Sequence, residues 1–169
     1  MVGLRTPCQS FSATGKRGGL QDPRGQLFLR FIDIIEAIRP RYAVIENVRG
    51  VLSRKLGALP VILAKIEEAG YQVSYKLYDA AHFGVPQHRR RVIFFLSRNG
   101  ETIQPMVGTH GGDGQPPHRT LRDAVGHLQG TSMEAQHLTP SMLECMQHVP
   151  AGGDWRSIPG NFVPLGHRK

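Results

Sequence analysis

Cys8, Glu46 and the arginines of Gln87-His88-Arg89-Arg90-Arg91 are the side chains here with the most chemistry to offer. Cys8 is one of two cysteines in 169 residues and sits in Thr6-Pro7-Cys8-Gln9-Ser10, ahead of a run rich in glycine and cations that closes on Gly18-Gly19. A free cysteine is most often a small buried hydrophobe, and these polar, glycine-rich surroundings argue against that fate. Glu46 follows the apolar run Tyr42-Ala43-Val44-Ile45, so its carboxyl needs a partner or a raised pKa. A thiolate, a carboxylic acid and arginines together suit one reaction. Adding a thiolate to an electron-poor pyrimidine carbon drives negative charge onto the ring. An acid at a ring nitrogen and an arginine at the ring oxygen receive it.

The elements that must position these groups read as alternating strands and helices. Met1-Val2-Gly3-Leu4 is a short apolar run before the Cys8 loop. Leu27, Phe28, Phe31, Ile32, Ile35 and Ile38 recur at three- and four-residue steps and predict a helix with one apolar face, which Pro40 stops. Tyr42–Val48 reads as a buried strand. Leu59, Ile62, Leu63, Ile66 and Ala69 share the face of a second helix, with Gly70 at its C-terminal cap. Tyr71–Tyr78 alternates as a half-buried strand does, and Arg91–Ser97 is another apolar strand. The loop between these two is too short for a crossover helix, so they are expected to be antiparallel neighbours. Thr120-Leu121-Arg122-Asp123 has the pattern of a capping box, and Thr139-Pro140 begins a further short helix. Cys8, Glu46 and Pro86–Arg91 all stand at ends of expected strands, and in an open α/β sheet ligands sit beyond the carboxyl ends of the parallel strands, where Cys8 and Glu46 fall.

Composition narrows the partners. Lys and Arg total 21 against 13 Asp and Glu, a formal net charge of +8, which favours polyanions, nucleic acid first. An apolar fraction of 40% with 20% charged residues fits a soluble globular chain. Two distant cysteines suggest a reducing compartment rather than a disulfide framework. No apolar run reaches the length of a membrane span, and the first residues lack the apolar core of a signal peptide. Gly108–His118 is a glycine- and proline-rich loop that no Gly-Lys-Ser/Thr closes, so it is not a phosphate loop. Cys145 and His148 stand one helical turn apart, too few to make a metal site.

Pro7-Cys8-Gln9 with the segment through Phe28, Glu46-Asn47-Val48, Gln87–Arg91, Thr120–Val125 and Pro150–Pro159 resemble, in order and spacing, the motifs of the cytosine-5 DNA methyltransferases. The resemblance covers nearly the whole chain. It implies an α/β fold, a partial doubly wound and mainly parallel sheet of the S-adenosylmethionine-dependent methyltransferase type, with an antiparallel hairpin at one edge. It implies that Cys8 adds to carbon 6 of a flipped-out cytosine, that Glu46 bonds ring nitrogen 3 and the exocyclic amine, and that Arg91 faces the ring oxygen. Arg89 and Gln87 would support that site. Gln9 and Ser12 would lie beside the flipped nucleotide and its phosphate, and Pro7 and Leu27 near the cofactor, S-adenosylmethionine. Flipping is needed because a stacked base hides carbon 6.

Departures from the family carry expectations too. The Phe-x-Gly-x-Gly cofactor loop and the acidic residue that holds the cofactor ribose do not occur ahead of Cys8. The approach to the cysteine is Arg5-Thr6-Pro7 instead of Gly-Pro-Pro. A target-recognition domain is expected beyond Gly152–Pro159, and Gly160–Pro164 matches the family's last motif by chance. Residues 1–100 therefore read as a catalytic-domain portion and 101–169 as a loop-rich segment leading toward target recognition. The expected setting is the bacterial cytoplasm, with double-stranded DNA and a complementing polypeptide as partners. An inactive truncated fragment that still binds DNA, and an RNA cytosine-5 methyltransferase, are the alternatives.

Overall fold

The computed structural model describes residues 2–5, 10–11, 18–130, 138–150, 153–154 and 157–159. Strands β1 (Val2–Arg5), β2 (Tyr42–Val48), β3 (Gln72–Asp79) and β4 (Arg90–Ser97) form a sheet in the order β1-β2-β4-β3. Helices α1 (Pro23–Ile38) and α2 (Ala58–Glu68) lie between β1 and β3 in sequence, and the short helices α3 (Leu121–Val125) and α4 (Pro140–Gln147) follow the sheet. The chain forms two compact units, 1–127 and 128–169. The first holds the sheet, α1, α2 and α3. The second holds α4, capped by Thr139 Oγ1, which accepts from the Met142 amide at 3.4 Å, with Cys145 buried.

Asp22 starts α1 by accepting from the Arg24 amide at 2.9 Å, with Pro23 in the first turn, where its missing N–H costs nothing. The helix ends at Arg39, which takes a left-handed conformation ahead of Pro40. Its buried face is Gly25, Phe28, Phe31, Ile32 and Ile35. Leu27 and Ile38, expected on that face, are 46% and 61% exposed. At 100° per residue they point about 105° and 85° away from its centre, onto the flank. In α2, Ile62 and Ile66 are fully buried, with Leu59 and Leu63 packed partly against them.

Both long helices cover the same face of the sheet. Ala43 and Ile45 of β2 join Val92, Phe94 and Leu96 of β4, Phe28, Phe31, Ile32 and Ile35 of α1, and Ile62 and Ile66 of α2 in one core. The Phe28 and Phe94 rings meet edge to face at 5.7 Å, and Lys65 of α2 pairs with Asp33 of α1 at 2.6 Å. The second face is crossed near β3 by the segment after β4. There Thr102 Oγ1 accepts from Gln72 Nε2 at 2.8 Å, the Ile103 carbonyl accepts from Ser74 Oγ at 2.7 Å, and Tyr78 Oη accepts from the Met106 amide at 3.0 Å.

The α/β class stands, and the β3–β4 pair is the antiparallel hairpin that its short connection requires. The mainly parallel pairing is corrected. Only β1–β2 pair in parallel, while β4 inserts between β2 and β3 and runs antiparallel to both. Strands β1, β2 and β3 thus share one direction, and their carboxyl ends meet the amino end of β4 at one edge of the sheet. A second helix layer, as in a fully doubly wound sheet, is not found among the described elements.

Candidate active site

The β-ladders decide what meets at that edge. Arg5, the last residue of β1, is aligned with Glu46 of β2, and Val48 with Arg91 of β4. Because side chains alternate along a strand, Glu46 and Arg91 project from the second face, opposite the helix-covered core. They are diagonal neighbours on adjacent strands, and Arg91 Nε lies 2.7 Å from Glu46 Oε1. Their side chains are 27% and 23% exposed, enough shelter to strengthen the pair and enough access to meet a ligand. Arg91 Nη1 also donates to the Arg90 carbonyl at 2.8 Å. Between them in β2 sequence and the turn that follows, Asn47 is fully buried on the core face, and its Oδ1 accepts from the Val48 amide at 2.7 Å.

Cys8, Pro7, Gln9 and Ser12 lie outside the described residues. What precedes and follows Cys8 is described. Arg5 is in register with Glu46. Phe11 is 1% exposed within the core, and the Ser10 carbonyl accepts from the Gly19 amide at 3.1 Å. Gly50, four residues after Glu46, makes this possible. A Cβ there would fall 1.7 Å from the Phe11 carbonyl oxygen, so only glycine lets the two backbones approach this closely. The segment carrying Cys8 is therefore tied to the β2 region on both sides.

Gln87 and Arg89 are exposed, and neither side chain has a partner among the described residues. Their backbones are held. The Gln87 amide donates to the Val85 carbonyl at 2.7 Å, and the Arg89 carbonyl accepts from the Ala80 amide at 3.1 Å. Leu27 sits exposed on α1. Of the residues singled out in the sequence and described here, the structure brings Glu46 and Arg91 into contact and leaves Gln87, Arg89 and Leu27 apart from them.

The residue that reading the sequence missed is Asp79, the last of β3 and 7% exposed. Its Oδ1 accepts from the Ala81 amide at 3.3 Å and the Arg89 amide at 3.0 Å. Its Oδ2 lies 3.2 Å from both His88 Nδ1 and Arg90 Nε. Burial pushes this carboxyl up, but bonds from His88, the Ala81 amide, Arg90 and the Arg89 amide outweigh it and hold the pKa at about 2. An aspartate ending an alternating strand, two residues before a free amide, is the pattern of an Asx turn, and that was the available signal.

A cavity of about 770 Å³ opens beside the pair. Phe11, Val48, Leu56 and Leu77 supply apolar wall, while Arg49, Lys55, Arg90 and Arg91 supply positive charge, and among the described residues no acidic one lines it. Such a cavity suits an anion with a flat apolar part. Among the described residues no three His, Cys, Asp or Glu side chains gather to hold a metal ion, and no helix is long and apolar enough to cross a membrane.

The model of the C-5 cytosine-specific DNA methylases matches residues 5–151. The type II methyltransferase M.AquIA of a Picosynechococcus strain is 40% identical over 142 residues, covering 72% of this chain and 57% of that protein. M1.HphI of Haemophilus parahaemolyticus, also a type II methyltransferase, is 33% identical over 171 residues, covering 94% of this chain and 45% of its own length. The chain spans about half the length of these relatives. In fold alone it resembles the Entamoeba histolytica methyltransferase EhMeth, with a TM-score of 0.57 at 16% identity over 86% of this chain and 43% of the other. With its matched motifs spread over most of its length and two of their side chains in contact at the strand ends, the chain belongs to the C-5 cytosine-specific DNA methylase family.

Proposed function

We propose that this chain carries the reactive groups for methylation of carbon 5 of cytosine in DNA, within a restriction-modification setting. The observation that carries the reading is the Glu46–Arg91 pair at 2.7 Å. It stands at the strand edge to which the residues flanking Cys8, Arg5 and Phe11, are both tied. In this reading the Cys8 thiolate forms a bond to carbon 6 of a flipped cytosine, and the ring electrons move toward nitrogen 3. Glu46 donates a proton or hydrogen bond there and selects cytosine by its exocyclic amine. Arg91 orients Glu46 and faces the ring oxygen. Gln9 and Ser12 hold the nucleotide and its phosphate, with Arg89 and Gln87 in support. The cations around the cavity favour a phosphate-bearing ligand. DNA is preferred over RNA because the matching family and relatives are described as DNA methylases and type II methyltransferases.

S-adenosylmethionine supplies the methyl group when bound. The described residues do not form a cradle for it. Leu27 offers an exposed apolar surface on α1, and Pro7 lies outside the described residues. The cofactor and the target sequence are therefore assigned to a complementing polypeptide or segment. Strand β1, at the edge of the described sheet, gives that part a place to pair. Residues 1–100 act as the catalytic portion, and 101–169 lead toward target recognition. The place of action is the bacterial cytoplasm.

The test is covalent capture. DNA bearing 5-fluorocytosine should trap the wild-type assembly through Cys8, and Cys8→Ser should neither trap nor transfer a methyl group, because a hydroxyl is too weak a nucleophile without a dedicated base. Wild-type turnover by Cys8→Ser would remove Cys8 from the mechanism.

A further inference from the structure

Three consecutive arginines, Arg89, Arg90 and Arg91, compete for one carboxylate at the site, and the structure shows how they are sorted. Asp79 and Arg90 are directly opposed in the β3–β4 ladder, as are Tyr78 and Arg91. Asp79 and Arg90 thus share the helix-covered face, and Arg91 shares the other face with Glu46. Asp79 Oδ2 engages Arg90 Nε at 3.2 Å, and Oδ1 engages the amide of Arg89 at 3.0 Å. The same carboxylate bonds the Ala81 amide at the other end of the loop, and the Ala80 amide reaches the Arg89 carbonyl at 3.1 Å. The whole connection between β3 and β4 closes on this one side chain. A slip of one residue would turn every β4 side chain to the opposite face, placing Arg90 or Val92 beside Glu46 instead of Arg91.

We infer that Asp79 is a positioning residue for methyl transfer, which fixes the register of β4 and withdraws Arg90 so that Arg91 alone engages Glu46. This rests on the reading of Glu46 and Arg91 as the reactive pair. Asp79 touches neither and acts through the backbone of Arg89–Arg91. Its amide counterpart keeps an oxygen for the Ala81 and Arg89 amides, so Asp79→Asn retains the turn and loses the charge that holds Arg90 and faces His88. Asp79→Ala strips both amides of their acceptor and unfolds the hairpin more readily.

The test is a double-mutant cycle on the active assembly, with Asp79→Asn and Arg91→Lys singly and together, alongside the side-chain Nε–H resonance of Arg91. Asp79→Asn should slow single-turnover methyl transfer at least about fivefold, with the KM for DNA changed less than about twofold, since a small misplacement at a reacting group costs rate before binding. In the Arg91→Lys background the same change should cost less than about twofold, because the position it protects is already lost. The Arg91 Nε–H resonance should move toward its position in Glu46→Gln. If Arg91→Lys is impaired but Asp79→Asn is not, or costs the same factor in both backgrounds, the inference falls and the reading of the pair stands. An unmoved Arg91 resonance in Asp79→Asn likewise overturns it. If Arg91→Lys transfers methyl groups at the wild-type rate, the reading of the pair fails, and the inference with it.

Discussion

On one face of the sheet Ala43, Ile45, Val92, Phe94 and Leu96 are sealed under α1 and α2. On the other, Val44, Glu46, Arg91, Ile93 and Phe95 of the same two strands keep part of their surface open. The strands are shared, and only the parity of the residue number separates the two sets. Burial on the first face removes apolar surface from water and supplies most of what holds the unit together. The second face spends little on packing and holds a carboxylate and a guanidinium where a ligand can reach them. Folding and chemistry are thus encoded in alternate positions of the same segments, and substitutions should divide accordingly.

The largest effect on stability should come from the sealed face. Phe94→Ala removes a fully buried ring that meets both Phe28 and Tyr75, and a loss of about 3–5 kcal/mol is expected in denaturant titration. A loss under about 1 kcal/mol would mean that this core collapses around the gap. On the open face, Arg91→Lys keeps the charge but loses the planar fork. Methyl transfer should fall about tenfold, about 1.4 kcal/mol of lost ion-pair placement, with little change in unfolding temperature.

Acid should expose the hairpin turn next. The folded pKa of Asp79 is lowered from 3.8 to about 2. Its stabilisation is complete above the unfolded value and is lost as pH falls from about 4 toward 2. Wild-type stability should drop across that window, and Asp79→Asn should remove that part of the drop. The smallest effect belongs to the helix surface. Lys65→Ala breaks the pair with Asp33, whose side chains are 31% and 38% exposed. Its cost should be slight at low salt and vanish at high salt.

Much of this division was legible in the residues. The run Tyr42–Val48 coincides with β2, since an unbroken β-rich apolar stretch ending in a carboxylate admits few other structures. The periods of α1 and α2 placed both helices. Their flanks were less clear, because Leu27 and Ile38 satisfy three- and four-residue steps while pointing off the face. The hairpin of β3 and β4 followed from a short connection. The insertion of β4 between β2 and β3 did not, because strand order rests on long-range pairing that no local pattern records. For the same reason the sequence could nominate three arginines but not show that Arg91 alone would meet Glu46. That depends on the register Val48↔Arg91, which Asp79 helps to hold.

Ile45 and Glu46 are adjacent in β2 and face opposite ways, so one paired measurement tests the account most directly. Thermal unfolding and single-turnover transfer of a tritiated methyl group should be recorded for Ile45→Ala and Glu46→Gln in the active assembly. Ile45→Ala should lose about 2–5 kcal/mol of stability, while its rate per folded molecule stays within about twofold of wild type. Glu46→Gln should keep its unfolding temperature and lose a factor of about 100 or more in rate, the usual cost of a missing general acid. A Glu46→Gln variant that transfers methyl groups at the wild-type rate would contradict the assignment of the open face to chemistry.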